Sequence, residues 1–233
     1  MRIAIIGYGA MGKIIERLAR ERKHEICAVI DEESHRSKAE DLSNRLNGAD
    51  AAIDFSVKEA VKRNAEACAL HGVPLVEGTT GWLGDLDAVR AIVTEKNAAF
   101  VYGANFSIGV NLFYRIVGRA AEMISSFEDY EAFIEERHHS RKVDAPSGTA
   151  LKLKSIVEEY IEPGFSISST RAGNIPGTHI VGFDGTYDQI RLEHTARSRE
   201  GFASGAISAA EWIVGKTGFW EFPEVIDEII GRE

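Results

Sequence analysis

The chain has little of what staples a small secreted domain or anchors a protein in a bilayer. It carries only two cysteines in 233 residues, Cys27 and Cys68. Cys27 falls in an apolar, strand-like run and Cys68 in a helix-like one, so buried free thiols are expected rather than a disulfide or a metal site. No apolar run approaches the about 18 residues that a membrane span requires. The stretch near Met1 is apolar only from Ile3 to Ile6 and then enters a glycine turn, unlike a signal peptide. Basic charge is also short, with 27 Lys and Arg against 36 Asp and Glu, a formal net charge of −9. That balance argues against nucleic acid or an anionic membrane as the main partner, because both require a basic footprint. A small anionic substrate remains compatible, since a site can be basic on an acidic protein. Together these absences predict a soluble protein of a reducing cytoplasm. Repeats, low-complexity tracts and long linkers are missing too.

What is present is alternation. Strand-like Arg2–Ile6, Glu25–Ile30, Ala51–Phe55, Pro74–Glu77 and Ala98–Tyr102 are interleaved with helix-like Gly12–Arg20, Lys58–His71 and Leu83–Lys96. That order predicts an α/β, Rossmann-type parallel-sheet cofactor domain with helices on both faces. The pattern changes after about residue 106. A helix near 109–125, a strand over Tyr130–Arg137 and a helix near 149–160 come first. Strands around 166–171, 179–183 and 189–196 follow, then a helix near 203–215 and a short tail. This is a smaller α+β domain with a mostly antiparallel sheet. Two domains result, and a cleft between domains is a usual place for a site.

Gly7, Tyr8, Gly9, Ala10, Met11 and Gly12 spell G-x-G-x-x-G between a predicted strand and a predicted helix. In that setting the first glycine permits a tight turn, the second close backbone approach to a pyrophosphate, and the third helix–strand packing. Asp31 follows at the end of the second strand, nineteen residues after Gly12, where a carboxylate would accept hydrogen bonds from a ribose 2′-hydroxyl. A carboxylate repels a 2′-phosphate, and Glu32 follows it, so NADH is the predicted preference. NADPH stays open because Arg36 and Lys38 are near in sequence. Gly78-Thr79-Thr80-Gly81 and Gly103-Ala104-Asn105-Phe106-Ser107 follow the fourth and fifth strands, where ligands bind in such sheets. Plain βα turns would have the same composition.

The chemistry-bearing stretch is Glu135 to Thr149. A strand delivers His138 and His139 into a loop with Arg141 and Lys142, and Ser147-Gly148-Thr149 opens a helix, with Ser147 a plausible N-cap. A helix start beside Lys142 and a histidine suits a carboxylate, and either side chain could supply a proton to accompany a hydride. Adjacent strand residues point to opposite faces, and no third ligand stands at metal-site spacing, so zinc is not expected. Each histidine could equally be a hydrogen-bonded structural residue. The residues themselves reach an anion-binding catalytic loop and no further.

The run His138-His139-Ser140-Arg141-Lys142-Val143-Asp144-Ala145-Pro146-Ser147-Gly148-Thr149-Ala150 closely resembles the signature of the 4-hydroxy-tetrahydrodipicolinate reductase (dihydrodipicolinate reductase) family. The resemblance continues through Ile53-Asp54-Phe55-Ser56, Gly78-Thr79-Thr80-Gly81, Ala104 to Asn111, Arg171-Ala172-Gly173, Gly177-Thr178-His179, His194 to Arg199 and Phe202 to Ala206. It implies NAD(P)H-dependent reduction of 4-hydroxy-tetrahydrodipicolinate to tetrahydrodipicolinate in diaminopimelate and lysine biosynthesis. It implies His138 as proton donor/acceptor and Lys142 as proton donor. His139, Gly148 and Thr149 would hold a small cyclic dicarboxylate. Gly7 to Gly12, Asp31, Gly78, Thr79, Thr80, Gly103, Ala104, Asn105 and Phe106 would hold the cofactor. It further implies a homotetramer, a dinucleotide-binding domain over 1–106 rejoined by 207–233, and a substrate-binding and oligomerisation domain over 107–206.

The chain departs from the family pattern at Glu32, where a basic residue is usual, and in a shorter segment from Asp31 to Ala51. It departs again at Gly218-Phe219-Trp220-Glu221-Phe222. Two other functions fit parts of the pattern: a dehydrogenase of another small carboxylate such as aspartate, and a non-catalytic NAD(H)-binding redox sensor. The His138–Lys142–Ser147-Gly148-Thr149 run argues against the first, and a sensor would need no proton donor.

Overall fold

The computed structural model describes residues 1–31, 38–46 and 48–231 and divides into two compact units, Met1–Ile108 with Arg199–Glu233, and Gly109–Ser198. In the first unit, short apolar strands alternate with amphipathic helices. The order is β1 (Arg2–Ile6), α1 (Ala10–Glu21), β2 (Glu25–Ile30), α2 (Ala39–Arg45), β3 (Ala51–Asp54), α3 (Val61–His71), β4 (Leu75–Glu77), α4 (Leu86–Glu95) and β5 (Ala99–Tyr102). Strands such as Ile3–Ile6 and Ala51–Asp54 are buried at every position, as a sheet covered on both faces requires.

All pairings in this sheet are parallel, and its strand order is β10-β5-β4-β3-β1-β2. The order reverses beside β1, which places a crevice beyond the carboxyl ends of β1 and β3. Three elements exceed the sequence expectation. α2 was not expected, because seven mostly polar residues carry too little periodicity; its buried contacts come from Ala39, Leu42 and Ser43. The tail is not a bare tail but β10 (Gly218–Glu221) and α8 (Phe222–Ile229), and β10 adds a sixth parallel strand beside β5. α7 (Glu200–Ile213) joins the same core as a whole, through Ala203, Ala206, Ile207, Ala210 and Ile213.

The second unit holds α5 (Ile108–Ile124), β6 (Glu131–His138), α6 (Gly148–Val157), β7 (Ile167–Arg171), β8 (Thr178–Asp184) and β9 (Gln189–Thr195). Its sheet runs β7-β6-β8-β9, parallel only between β6 and β7. Side chains of β6 alternate, and Ala132, Ile134, Glu136 and His138 share the buried face. Across the antiparallel pairing, Ala132 meets Phe183, Ile134 meets Val181 and Glu136 meets His179. One face of the sheet therefore changes from an apolar core under α5 and α6 to a buried polar cluster at the end of β6.

Candidate active site

Glu136 anchors the polar cluster. It is 1% exposed, too buried to ionise without partners, and it has them. Its Oε1 accepts from Ser147 N (3.0 Å), Ser169 Oγ (2.7 Å) and Arg171 Nη2 (2.7 Å). Burial opposes ionisation, but the donors from Ser147, Ser169 and Arg171 outweigh it and hold the carboxyl at a pKa of about 2. Its Oε2 faces His138 Nδ1 at 3.0 Å, an approach not directed as a hydrogen bond, and lies 3.8 Å from His179 Nε2.

The two imidazoles stand edge to face with centroids 5.0 Å apart, and His179 Nε2 lies 3.2 Å from Ser147 Oγ. Burial lowers the pKa of His138 against the pull of Glu136. Burial and then the His138 charge bring His179 down to about 4. Both rings are therefore neutral at neutral pH.

The loop after β6 is held from both sides. Ser140 N bonds Gly173 O, Lys142 N bonds His139 O, and Arg171 Nη2 reaches Asp144 O at 2.5 Å. Lys142 Nζ pairs with Asp144 Oδ1 at 2.8 Å, and that contact lowers the pKa of Asp144. Ser147 caps α6 by accepting from Ala150 N (3.2 Å) while its own N–H is bound by Glu136. Gly148 at the first turn of α6 faces open space. His138, His139, Lys142, Gly148 and Thr149 thus all lie on one strand end, loop and helix start, as their spacing predicts.

Sequence reasoning missed Glu136, Arg171 and His179. Glu136 was legible as the residue two before His138 on the same strand face; His179 becomes its partner only through strand register. The same register qualifies the spacing argument on metals, which looked only along the chain. Ligand-type atoms of Glu136, His138 and His179 lie within 4.8 Å of one another, although Arg171, Ser147 and Ser169 already engage the carboxylate.

The cofactor candidates sit in the first unit. Gly9, the extended residue before α1, has nothing within 4 Å of a Cβ placed on it, and no side chain caps the helix. At Gly12 the same Cβ would lie 2.2 Å from Gly7 O, so helix and turn pack backbone to backbone. Gly9, Ala10, Met11, Ser56, Lys58, Gly78, Thr79 and Thr80 line a cavity of about 510 Å³. Open space at the second glycine, an uncapped helix start and hydroxyls opposite fit a dinucleotide pyrophosphate. Tyr8 OH bonds Glu16.

Asp31 directly follows β2 and is exposed; Glu32 and Arg36 lie outside the described residues, and Lys38 precedes α2. The segment 103–106 is mixed in character. Asn105 Oδ1 accepts from Ser107 N, Ala104 is exposed, Phe106 is a core ring against Phe222, and a Cβ at Gly103 would lie 2.9 Å from that of Phe222.

Residues 1–106 match the family model described as the dihydrodipicolinate reductase N-terminus, and residues 109–226 the one described as its C-terminus. A protein of Christiangramia forsetii named 4-hydroxy-tetrahydrodipicolinate reductase is 39% identical, covering 98% of this chain and 99% of that protein. One of the same name from Archaeoglobus fulgidus is 35% identical, covering 97% and 100%. Among solved structures, the dipicolinate-bound dihydrodipicolinate reductase from Paenisporosarcina sp. TG-14 superposes with a TM-score of 0.80 at 22% identity, covering 97% of this chain and 99% of that one.

Proposed function

The chain belongs to the dihydrodipicolinate reductase family, and from that membership we infer that it reduces 4-hydroxy-tetrahydrodipicolinate to tetrahydrodipicolinate with NAD(P)H in diaminopimelate and lysine biosynthesis. The observation that carries the residue assignment is the placement of buried His138, beside the Glu136 carboxylate, and of Lys142 on the strand end and loop that lead into α6. Backbone N–H groups at Gly148 and Thr149, with His139, receive the substrate carboxylates. When bound, the reduced nicotinamide supplies the hydride. Lys142 gives a proton to the substrate atom next to the carbon that takes the hydride, so two electrons and two hydrogens are added, and the 4-hydroxyl group leaves as water to complete the conversion. Its side chain is 25% exposed, enough to regain the proton from water. His138 starts neutral and serves first as acceptor, then as donor, with the Glu136 carboxylate 3.0 Å away balancing its charge when protonated.

NADH is the preferred cofactor on this reading, because Asp31 stands at the carboxyl end of β2, where a 2′-phosphate would meet its charge. The assembly is a homotetramer, an expectation carried from the family and tested by light scattering. The functional test supplies the heterocycle made from pyruvate and aspartate semialdehyde and follows oxidation of NADH and of NADPH. Oxidation of neither removes the assignment, and a higher kcat/KM with NADPH removes the Asp31 argument.

A further inference from the structure

Asp54 and Glu77 are fully buried carboxyl groups at paired positions on adjacent parallel strands, β3 and β4. Each pins the turn that follows its own strand. Asp54 Oδ1 accepts from Ser56 N at 2.8 Å, and Glu77 Oε1 accepts from Thr79 N at 2.7 Å. Thr79 Oγ1 then accepts from Ser56 N at 3.1 Å, tying the two turns together. Both turns line the cavity that also holds the glycine loop.

The partners of the two carboxyl groups differ. Asp54 faces donors only: Ser56 N, and Asn64 Nδ2 at 2.6 Å from its Oδ2. Glu77 Oε2 meets no donor among the described residues, and its register partner on the same face of the sheet is Asp54, also fully buried. Two carboxylates cannot bond each other without a proton, and two buried like charges in contact repel strongly. We propose that Asp54 and Glu77 share one proton, carried on Glu77 Oε2 and donated to an ionised Asp54, and that this pair positions the Ser56 and Thr79 turns for the cofactor.

The surroundings support that assignment. Arg63 on α3 attracts the charge of Asp54 and donates to Asn64 Oδ1 at 2.6 Å. Cys68, also on α3, is a thiol that burial pushes up, so it adds no charge. Tyr102 on β5, the register partner of Glu77, is raised by burial and by Glu221 and is neutral too. α7 contributes buried alanines and Ile207 to the core on this sheet. Burial, followed by the Asp54 charge, raises Glu77 well above the ordinary carboxyl range, while burial raises Asp54 against its donors. Glu77 is then a positioning residue acting through Thr79.

The inference rests on the cofactor reading above, so its test includes a readout that needs no cofactor. Carboxyl 13C NMR on glutamate-labelled wild type, with Glu77 identified by its loss in Glu77→Gln, should show one glutamate still protonated at neutral pH. Glutamine copies a protonated glutamate, so Glu77→Gln should bind NADH within about twofold of wild type. Asp54→Asn sets an amide donor against donors and should weaken NADH binding by about tenfold or more. A Glu77 carbon that titrates with the surface glutamates overturns the proposal, even if Asp54→Asn fails to fold. Equal NADH binding by Asp54→Asn and Glu77→Gln overturns it as well. Failure of wild type to bind either cofactor would sink the parent reading, while the carbon signal would still report on the shared proton.

Discussion

Glu136 and His138 stand two residues apart on one face of β6, with Oε2 and Nδ1 3.0 Å apart, and both are buried. The carboxylate is held charged by Arg171, Ser147 and Ser169, while the imidazole beside it is held neutral by burial. A fixed negative charge next to a neutral base stabilises the imidazolium that forms when the base takes a proton.

Replacing Glu136 with Gln removes that charge and leaves Arg171 without its counterion. The variant should be destabilised at neutral pH by about 3 kcal/mol. The folded pKa of about 2 is depressed from 4.5. The stabilisation is therefore complete above 4.5 and is lost as pH falls through about 2. Thermal melts of both proteins should converge over that window. In activity, the acid limb of the pH–kcat profile should move to lower pH, because His138 loses the charge that favours its protonated form.

His179 should stay neutral throughout the physiological range. Its folded pKa of about 4 lies below the ordinary 6.5, so the unfolded chain binds more protons between these values. Stability contributed by the neutral ring is full above 6.5 and declines as pH falls through about 4. Histidine NMR tracks this directly: an imidazole at this position titrating near 6.5 contradicts the buried cluster.

Two alanine substitutions in the glycine loop should separate folding from binding. Gly12→Ala drives a methyl into the Gly7 carbonyl, at 2.2 Å, and should cost about 3 kcal/mol in chemical denaturation. Gly9→Ala points its methyl into open space. It should keep wild-type stability and lose about tenfold in NADH affinity, on the order of 1.4 kcal/mol. Intact NADH binding by Gly9→Ala would move the pyrophosphate away from this turn.

Much of this was legible in the sequence. Five of the six parallel strands announce themselves as short apolar runs, and Gly7, Gly9 and Gly12 mark the turn between the first strand and helix. β10 was not legible, because Gly218–Glu221 is too short and half-buried to stand out from a tail. His138 and Lys142 could be read from their motif. Glu136 and His179 could not be joined, since only the β6–β8 register brings residues 136 and 179 opposite each other. Likewise Asp54 and Glu77 look like ordinary strand-end acids until β3 and β4 pair.

The most direct test of the central claim is a single-turnover experiment with enzyme preloaded with NADH and mixed with the heterocycle. Wild type should oxidise its bound NADH in one fast phase. Lys142→Ala should bind NADH equally well and react slower by about 100-fold or more, the range for a lost proton donor. Lys142→Ala reacting at the wild-type rate, or wild type leaving its NADH unoxidised, would contradict the account.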